Sequence, residues 1–188
     1  IANVFGSFFL IVDKAYKVGD WVIIDKCVSG SDAEGIVEDI TLRSTKIRAF
    51  DNTLISLPNN IVANSTIKNV SAHKKRRIFE YIDITYDTPP EKIEQAVQTC
   101  RKIVQEHPEM EDYQQIHFNK FGPYSLQIML YVFTKTTDWG EYLRIIQEIF
   151  LCILKEFNKL GVEFAFPTQT IYINKDSGID IKLANPWK

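Results

Sequence analysis

Tyr16-Lys17-Val18-Gly19-Asp20-Trp21-Val22 opens the stretch that decides the fold, and Ile67-Lys68-Asn69-Val70-Ser71 closes it. Between them run Gly35-Ile36-Val37-Glu38-Asp39-Ile40 and Phe50-Asp51-Asn52-Thr53-Leu54-Ile55-Ser56-Leu57-Pro58-Asn59. Short β-branched runs punctuated by Gly19, Gly35 and the Asp51-Asn52 turn predict a small barrel of short strands over residues 16–71. Pro58 has no N–H for a ladder and holds Leu57 extended, so the last hairpin strand ends there. Asn59 is placed to cap a brief helical turn through Ile61-Val62-Ala63 before the chain resumes as a strand. Lys26 to Ala33, polar and small around Ser29-Gly30-Ser31-Asp32, reads as an exposed loop between two strands. No P-loop Lys-Ser/Thr follows it, which argues against phosphate binding there.

Outward toward the C-terminus, residues 72–77 carry the compact basic run His73-Lys74-Lys75-Arg76-Arg77, which reads as a solvated linker or, alternatively, as a nucleic-acid patch. From Ile78 the chain reads as β-α-β-β-α-β, a ferredoxin-like unit over residues 78–174 with helices on one face of a four-stranded antiparallel sheet. Its first strand, Ile78 to Tyr86, sets Ile78, Ile82, Ile84 and Tyr86 on one face. Thr88-Pro89-Pro90-Glu91 has capping-box spacing with Pro at the first helical position. Ile93, Ala96, Val97, Cys100, Ile103 and Val104 then form an amphipathic stripe that makes Cys100 a buried small hydrophobe. His107-Pro108 ends this helix. Gln115 to Phe121 and Leu126 to Thr134 form a hairpin around Gly122-Pro123. Asp138 caps a second helix that runs to Leu160 and stops at Gly161. Its apolar residues, Trp139 to Phe157, are wider than one core-facing stripe, which predicts a further covering domain or subunit. A last strand spans Thr170 to Asn174.

Outward toward the N-terminus, Val4 to Val12 is continuously apolar. As a helix it covers about 14 Å against a hydrocarbon core of about 30 Å, so it cannot span a bilayer alone. It reads either as a core or interface helix or as the tail of a membrane helix, and Lys14 and Lys17 follow as at a cytoplasmic helix end. The apolar start without an initiator Met reads as a piece of something longer. A net charge of -2 implies no whole-molecule attraction to nucleic acid or an anionic bilayer. Cys27, Cys100 and Cys152 are odd in number and far apart, which disfavours disulfides and structural zinc.

The ordered set Gly19-Asp20-Trp21-Val22, Gly35-Ile36-Val37, Arg43-Ser44-Thr45-Lys46-Ile47-Arg48, Phe50-Asp51-Asn52, Leu57-Pro58-Asn59 and Asn69-Val70-Ser71 resembles the small-conductance mechanosensitive channel (MscS) family. The resemblance implies an α+β chain: a short N-terminal helix, a small Sm-like or SH3-like β-barrel, then the ferredoxin-like domain. It makes residues 1–15 the end of a pore-lining helix, with Asn3, Gly6, Ser7, Phe8 and Leu10 at its small, polar and apolar positions. The barrel motif is then Gly19, Asp20, Trp21, Pro58, Asn59 and Asn69. Lys74, Lys75, Arg76 and Arg77 would lie near side openings of a cytoplasmic cage, biasing the potential seen by permeating ions. The family also implies a homo-heptamer in the cell (inner) membrane, a lipid bilayer contacted through upstream helices, and ions and small solutes as cargo released on osmotic downshock. No cofactor, no metal and no catalytic residue are implied.

The tail, residues 175–188, alternates apolar and charged from Ile179 to Leu183, which predicts a short strand. In a symmetric ring, Ile179, Ile181 and Leu183 of neighbouring copies would pack together as the oligomer tail, while Asp180 and Lys182 face water. The three histidines, His73, His107 and His117, have no local Ser, Cys or carboxylate arrangement that specifies a triad or metal site. The alternative function is a soluble RNA-binding or regulatory module. RNA binding needs exposed aromatics flanked by Arg or Lys, and little positive charge accompanies most of Phe118, Phe121, Met129, Tyr131 and Phe133. No nucleic-acid partner is expected on that ground.

Overall fold

A computed structural model describes residues 15–28 and 31–167, an α+β arrangement of two antiparallel sheets and three helices. The first sheet holds β1 (Trp21–Val28), β2 (Ser31–Ile40), β3 (Ser44–Arg48), β4 (Leu54–Pro58) and β5 (Ile67–Asn69), in the order β4-β3-β2-β1-β5. Period-two alternation builds its core: Ala33, Val37, Thr45 and Ile47 point inward while Glu34, Ile36 and Lys46 point out. Gly35 is required where β2 crosses β3, because a Cβ there would sit 2.2 Å from the Arg48 carbonyl oxygen. The Asp51-Asn52 turn forms as expected. Asn52 takes φ 70° and the Asp51 carboxylate accepts the Thr53 N–H, which lowers the Asp51 pKa.

Two readings of this region change. Lys26 to Ala33 is not a loop: β1 and β2 run on until Val28 faces Ser31, leaving only Ser29 and Gly30 between them. The β-branched run through β1 outweighed the polar composition, and the register shift between Ile24 and Val28 absorbs the mismatch. Helix α1 (Asn59–Ala63) begins after Pro58, and the Asn59 side chain does not cap it. Asn59 is fully buried and serves the sheet core instead.

The second sheet holds β6 (Arg76–Ile84), β7 (Met110–Phe121) and β8 (Leu126–Thr134) in the order β6-β8-β7, with α2 (Pro90–Glu106) and α3 (Trp139–Leu160) on one face. The α2 stripe buries Ala96, Val97, Cys100 and Val104, and burial pushes the Cys100 thiol up to about 12, so it is inert. Pro90 starts α2 as expected, but Thr88 makes no cap bond and instead meets the Thr85 hydroxyl. In α3, Asp138 Oδ1 accepts the Glu141 N–H at 2.8 Å, and Gly161 closes the helix at φ 64°. Ile145, Ile149, Ile153 and Phe157 form its buried stripe. Leu143, Phe150, Leu151 and Leu154 stay exposed.

Strand boundaries also differ from expectation. β6 starts at Arg76, two residues before Ile78, and ends at Ile84, so Tyr86 is exposed and hydrogen bonds the Gly122 carbonyl. β7 starts at Met110 rather than Gln115, through a register shift between Met110 and Gln114. After α3 the chain runs antiparallel along the outer edge of β6: Phe164 bridges Ile84, and Ala165 N–H donates to the Asp83 carbonyl at 2.9 Å. The expected strand at Thr170 to Asn174, the tail with Ile179, Ile181 and Leu183, and the N-terminal residues Asn3, Gly6, Ser7, Phe8 and Leu10 lie outside the described residues. Among the described residues no helix is long and apolar enough to cross a membrane.

Candidate functional site at the junction of the two sheets

Four of the six barrel-motif residues, Gly19, Asp20, Asn59 and Asn69, gather into two polar ties. In the first, Asp20 Oδ2 accepts the Lys17 N–H at 3.1 Å and the Asn69 amide at 2.9 Å. The same amide reaches the Ala15 carbonyl, while Asn69 Oδ1 caps the 3-10 turn Val70–Ala72 through the Ala72 N–H. Gly19, at φ 93°, turns the chain so that its N–H meets the Val37 carbonyl. The chain entering at Ala15 is thereby tied to the end of β5 and to the exit toward β6.

The second tie runs through the core. Tyr16 Oη lies 3.0 Å from Thr45 Oγ1, Thr45 donates to Asn59 Oδ1 at 2.9 Å, and the Asn59 amide donates to the Thr41 carbonyl at 2.8 Å. The single Thr45 proton goes to Asn59, so Tyr16 is the donor of the first bond. Burial raises the Tyr16 pKa, which keeps the phenol protonated for that role. Pro58 ends β4 and sets Asn59 at the start of α1.

Trp21 leaves this frame and faces the second sheet. Its backbone N–H donates to Ser71 Oγ, its indole N–H donates to Glu34, and its ring meets Phe50 edge-on at 5.0 Å. On its other side Trp139, the first residue of α3, stands at 6.2 Å and 89°. Arg76 fills the space between. Its guanidinium carbon lies 5.4 Å from the Trp21 ring, 5.1 Å from Trp139 and 5.7 Å from Tyr142, and Nε donates to the Thr137 carbonyl at 2.8 Å. Trp139 and Tyr142 stack on each other, and Tyr142 donates to the Arg77 carbonyl. One cation thus joins aromatic groups from both sheets. His73 lines the adjoining 240 Å³ cleft, and burial, then the Arg76 charge, lower its pKa.

The four basic residues read as a solvated linker therefore have separate fates. Arg76 and Arg77 are the first two residues of β6, because their pairing with Thr134 and Phe133 extends the ladder. Arg77 lies over Phe79 and Tyr131, and Lys75 lies over Phe133. Lys74 is exposed, without a partner among the described residues. Trp139 and Tyr142 were the residues sequence reasoning missed. They share one face at i and i+3, yet periodicity assigned them to the general apolar surface of the helix and not to a site.

Among the described residues no group of three or more His, Cys, Asp or Glu is placed to hold a metal. His107 meets Glu148 at 3.2 Å and His117 meets Gln115 at 3.1 Å.

Residues 1–72 match the family model described as mechanosensitive ion channel, beta-domain, and residues 81–164 match mechanosensitive ion channel MscS, C-terminal. The small-conductance mechanosensitive channel MscMJ of Methanocaldococcus jannaschii is 39% identical over 177 residues, covering 94% of this chain and 49% of that protein. The low conductance mechanosensitive channel YnaI of Escherichia coli is 34% identical, covering 93% and 50%. The crystal structure of Helicobacter pylori MscS in its closed state superposes with a TM-score of 0.75 at 28% identity, covering 93% of this chain and 65% of that one. Arabidopsis thaliana MSL1, with a TM-score of 0.77 at 18% identity and coverage of 89% and 58%, shares the fold. The chain belongs to the MscS family of mechanosensitive channels and carries its β-domain and C-terminal domain. It spans about half the length of the curated relatives it matches.

Proposed function

We propose that this chain is the cytoplasm-facing cage region of a tension-gated channel that releases ions and small solutes on osmotic downshock. The observation that carries the reading is the succession of the two family domains, joined by the Trp21, Arg76 and Trp139 contacts, in a chain whose relatives are named as mechanosensitive channels. Function in this reading is passive. Membrane helices respond to tension, the cage holds their inner ends in register, and solutes pass without a chemical step or cofactor. The chain assembles as a homo-heptamer in the cell membrane, with the bilayer met through the membrane helices of the whole protein. The exposed stripe Leu143, Phe150, Leu151 and Leu154 supports contact with a neighbouring subunit, since an apolar row along a helix gains by leaving water.

Lys74, Lys75 and Arg77 are exposed and keep their charges, so in this reading they bias the potential that passing ions meet at the side openings. Patch-clamp recording of the full-length protein in a bilayer tests the reading: steps of tension open a current, and cells lacking their own channels survive downshock when they express it. A correctly inserted protein that stays silent up to lytic tension contradicts it.

A further inference from the structure

The face of the second sheet turned away from α2 and α3 is an aromatic surface edged with cations. Phe79 and Tyr81 of β6, Tyr131 and Phe133 of β8, and Tyr113 of β7 form one connected set, with neighbouring centroids 5.5 to 6.5 Å apart. They are open to solvent: Phe79 is 43% exposed, Tyr81 38% and Tyr113 53%. Lys75 and Arg77 lie over one end of the set, 4.7 Å from Phe133 and 5.6 Å from both Phe79 and Tyr131. Lys120 lies 5.9 Å from Tyr81 at the other end. Along β6 and β8 the single carboxylate on this face is Asp83, already engaged by Ser125 at 2.6 Å and Gln127 at 2.7 Å. A chain of net charge -2 thus places Lys75, Arg77 and Lys120 around a broad aromatic face. The sequence showed Tyr131 and Phe133 as one aromatic run, but not that β6 and β7 add Phe79, Tyr81 and Tyr113 beside them.

A partner for this face must suit both features. An apolar helix would cover the rings but strip water from three cations. A simple inorganic anion would meet the cations and leave the rings wet. A nucleotide suits both, because any base has a π-face that stacks on exposed aromatics while its phosphates take Lys or Arg. We propose that this face binds a free nucleotide, the base resting on Phe79, Tyr81 and Tyr131 and the phosphates held by Lys75 and Arg77. Without an anion the two cations fold onto the rings. With one they swing outward and expose the stacking surface. This goes beyond the channel reading and does not depend on it.

Calorimetric titration of the full-length protein with ATP at low salt tests the proposal, with inorganic triphosphate, adenosine and an oligoadenylate as comparisons. The expected result is saturable ATP binding, tighter than triphosphate or adenosine, that weakens as salt rises. Phe79→Ala and Tyr81→Ala, both at exposed positions, should each weaken ATP about tenfold. Lys75→Gln with Arg77→Gln should reduce ATP affinity to that of adenosine, while circular dichroism shows each variant folded. Equal affinity for ATP and triphosphate, unmoved by Phe79→Ala, would show a bare cation patch and overturn the proposal. Oligoadenylate binding far tighter than ATP would reassign the face to single-stranded RNA. No ATP binding at all would leave the face to a protein partner.

Discussion

The first sheet buries eight apolar residues, mostly Val, Ile and Ala, and sets Asp20, Thr45 and Asn59 among them. The second buries eighteen around Phe157 and two helices, with its buried polar groups confined to Thr88, Ser125 and Thr134. Each fully buried aliphatic side chain contributes about 1.5–3 kcal/mol, so the second core is held by area. Five short strands without a covering helix pair cannot bury that much, and the first sheet completes its core with hydrogen bonds. Such bonds add little net when made and cost much when one side is removed, because the orphaned partner stays buried. One sheet is therefore robust to polar change and the other is specified by it. Trp21, Arg76 and Trp139 couple the two.

Substitutions that strike one core and spare the other would break or sharpen this contrast. Phe157→Ala should have the largest effect, about 3–5 kcal/mol, seen as an earlier denaturant transition of the second sheet. An equal shift in the first sheet would mean that the cores are one unit. Asn59→Leu should cost about 2–3 kcal/mol in the first sheet, since it takes the acceptor from the buried Thr45 hydroxyl and the amide donor from the Thr41 carbonyl. A Leu gain through added apolar area would refute the idea that polar ties specify this core. Arg76→Gln should cost about 0.5–2 kcal/mol of coupling and separate the two transitions, because it removes a cation from three rings.

The smallest effect concerns pH. The His73 pKa is lower folded than unfolded, so its contribution is complete above the unfolded value, about 6.5, and is lost as pH falls through the folded one. Protonation adds a charge beside Arg76. Tryptophan fluorescence of the junction should therefore change on mild acidification, and His73→Gln should remove that change. A titration that persists in the variant would place the pH response elsewhere.

Much of the local structure is legible in the sequence. The α2 stripe, the Asp138 cap, the Gly161 stop and the Asp51-Asn52 turn are local, so spacing and side-chain chemistry specify them. Charged strand starts were hidden: Arg76 and Arg77 read as linker, although their ladder partners Thr134 and Phe133 lie far along the chain. The acidic start of β7 was hidden by a register shift that breaks alternation between Met110 and Gln114. Asn59 carried the right residue type for the wrong task, since a cap is a local role and a buried cross-strand tie is not. The junction itself depends on a contact between Trp21 and Trp139, and no periodicity reports on residues so distant.

The coupling across that junction is best measured by a double-mutant cycle of Trp21→Leu and Arg76→Gln, read from the denaturant transitions of the two sheets. The account predicts that the two losses overlap, leaving an interaction energy of about 0.5–2 kcal/mol. Strict additivity, within about 0.3–0.5 kcal/mol, would contradict it and make the sheets neighbours without a shared lock.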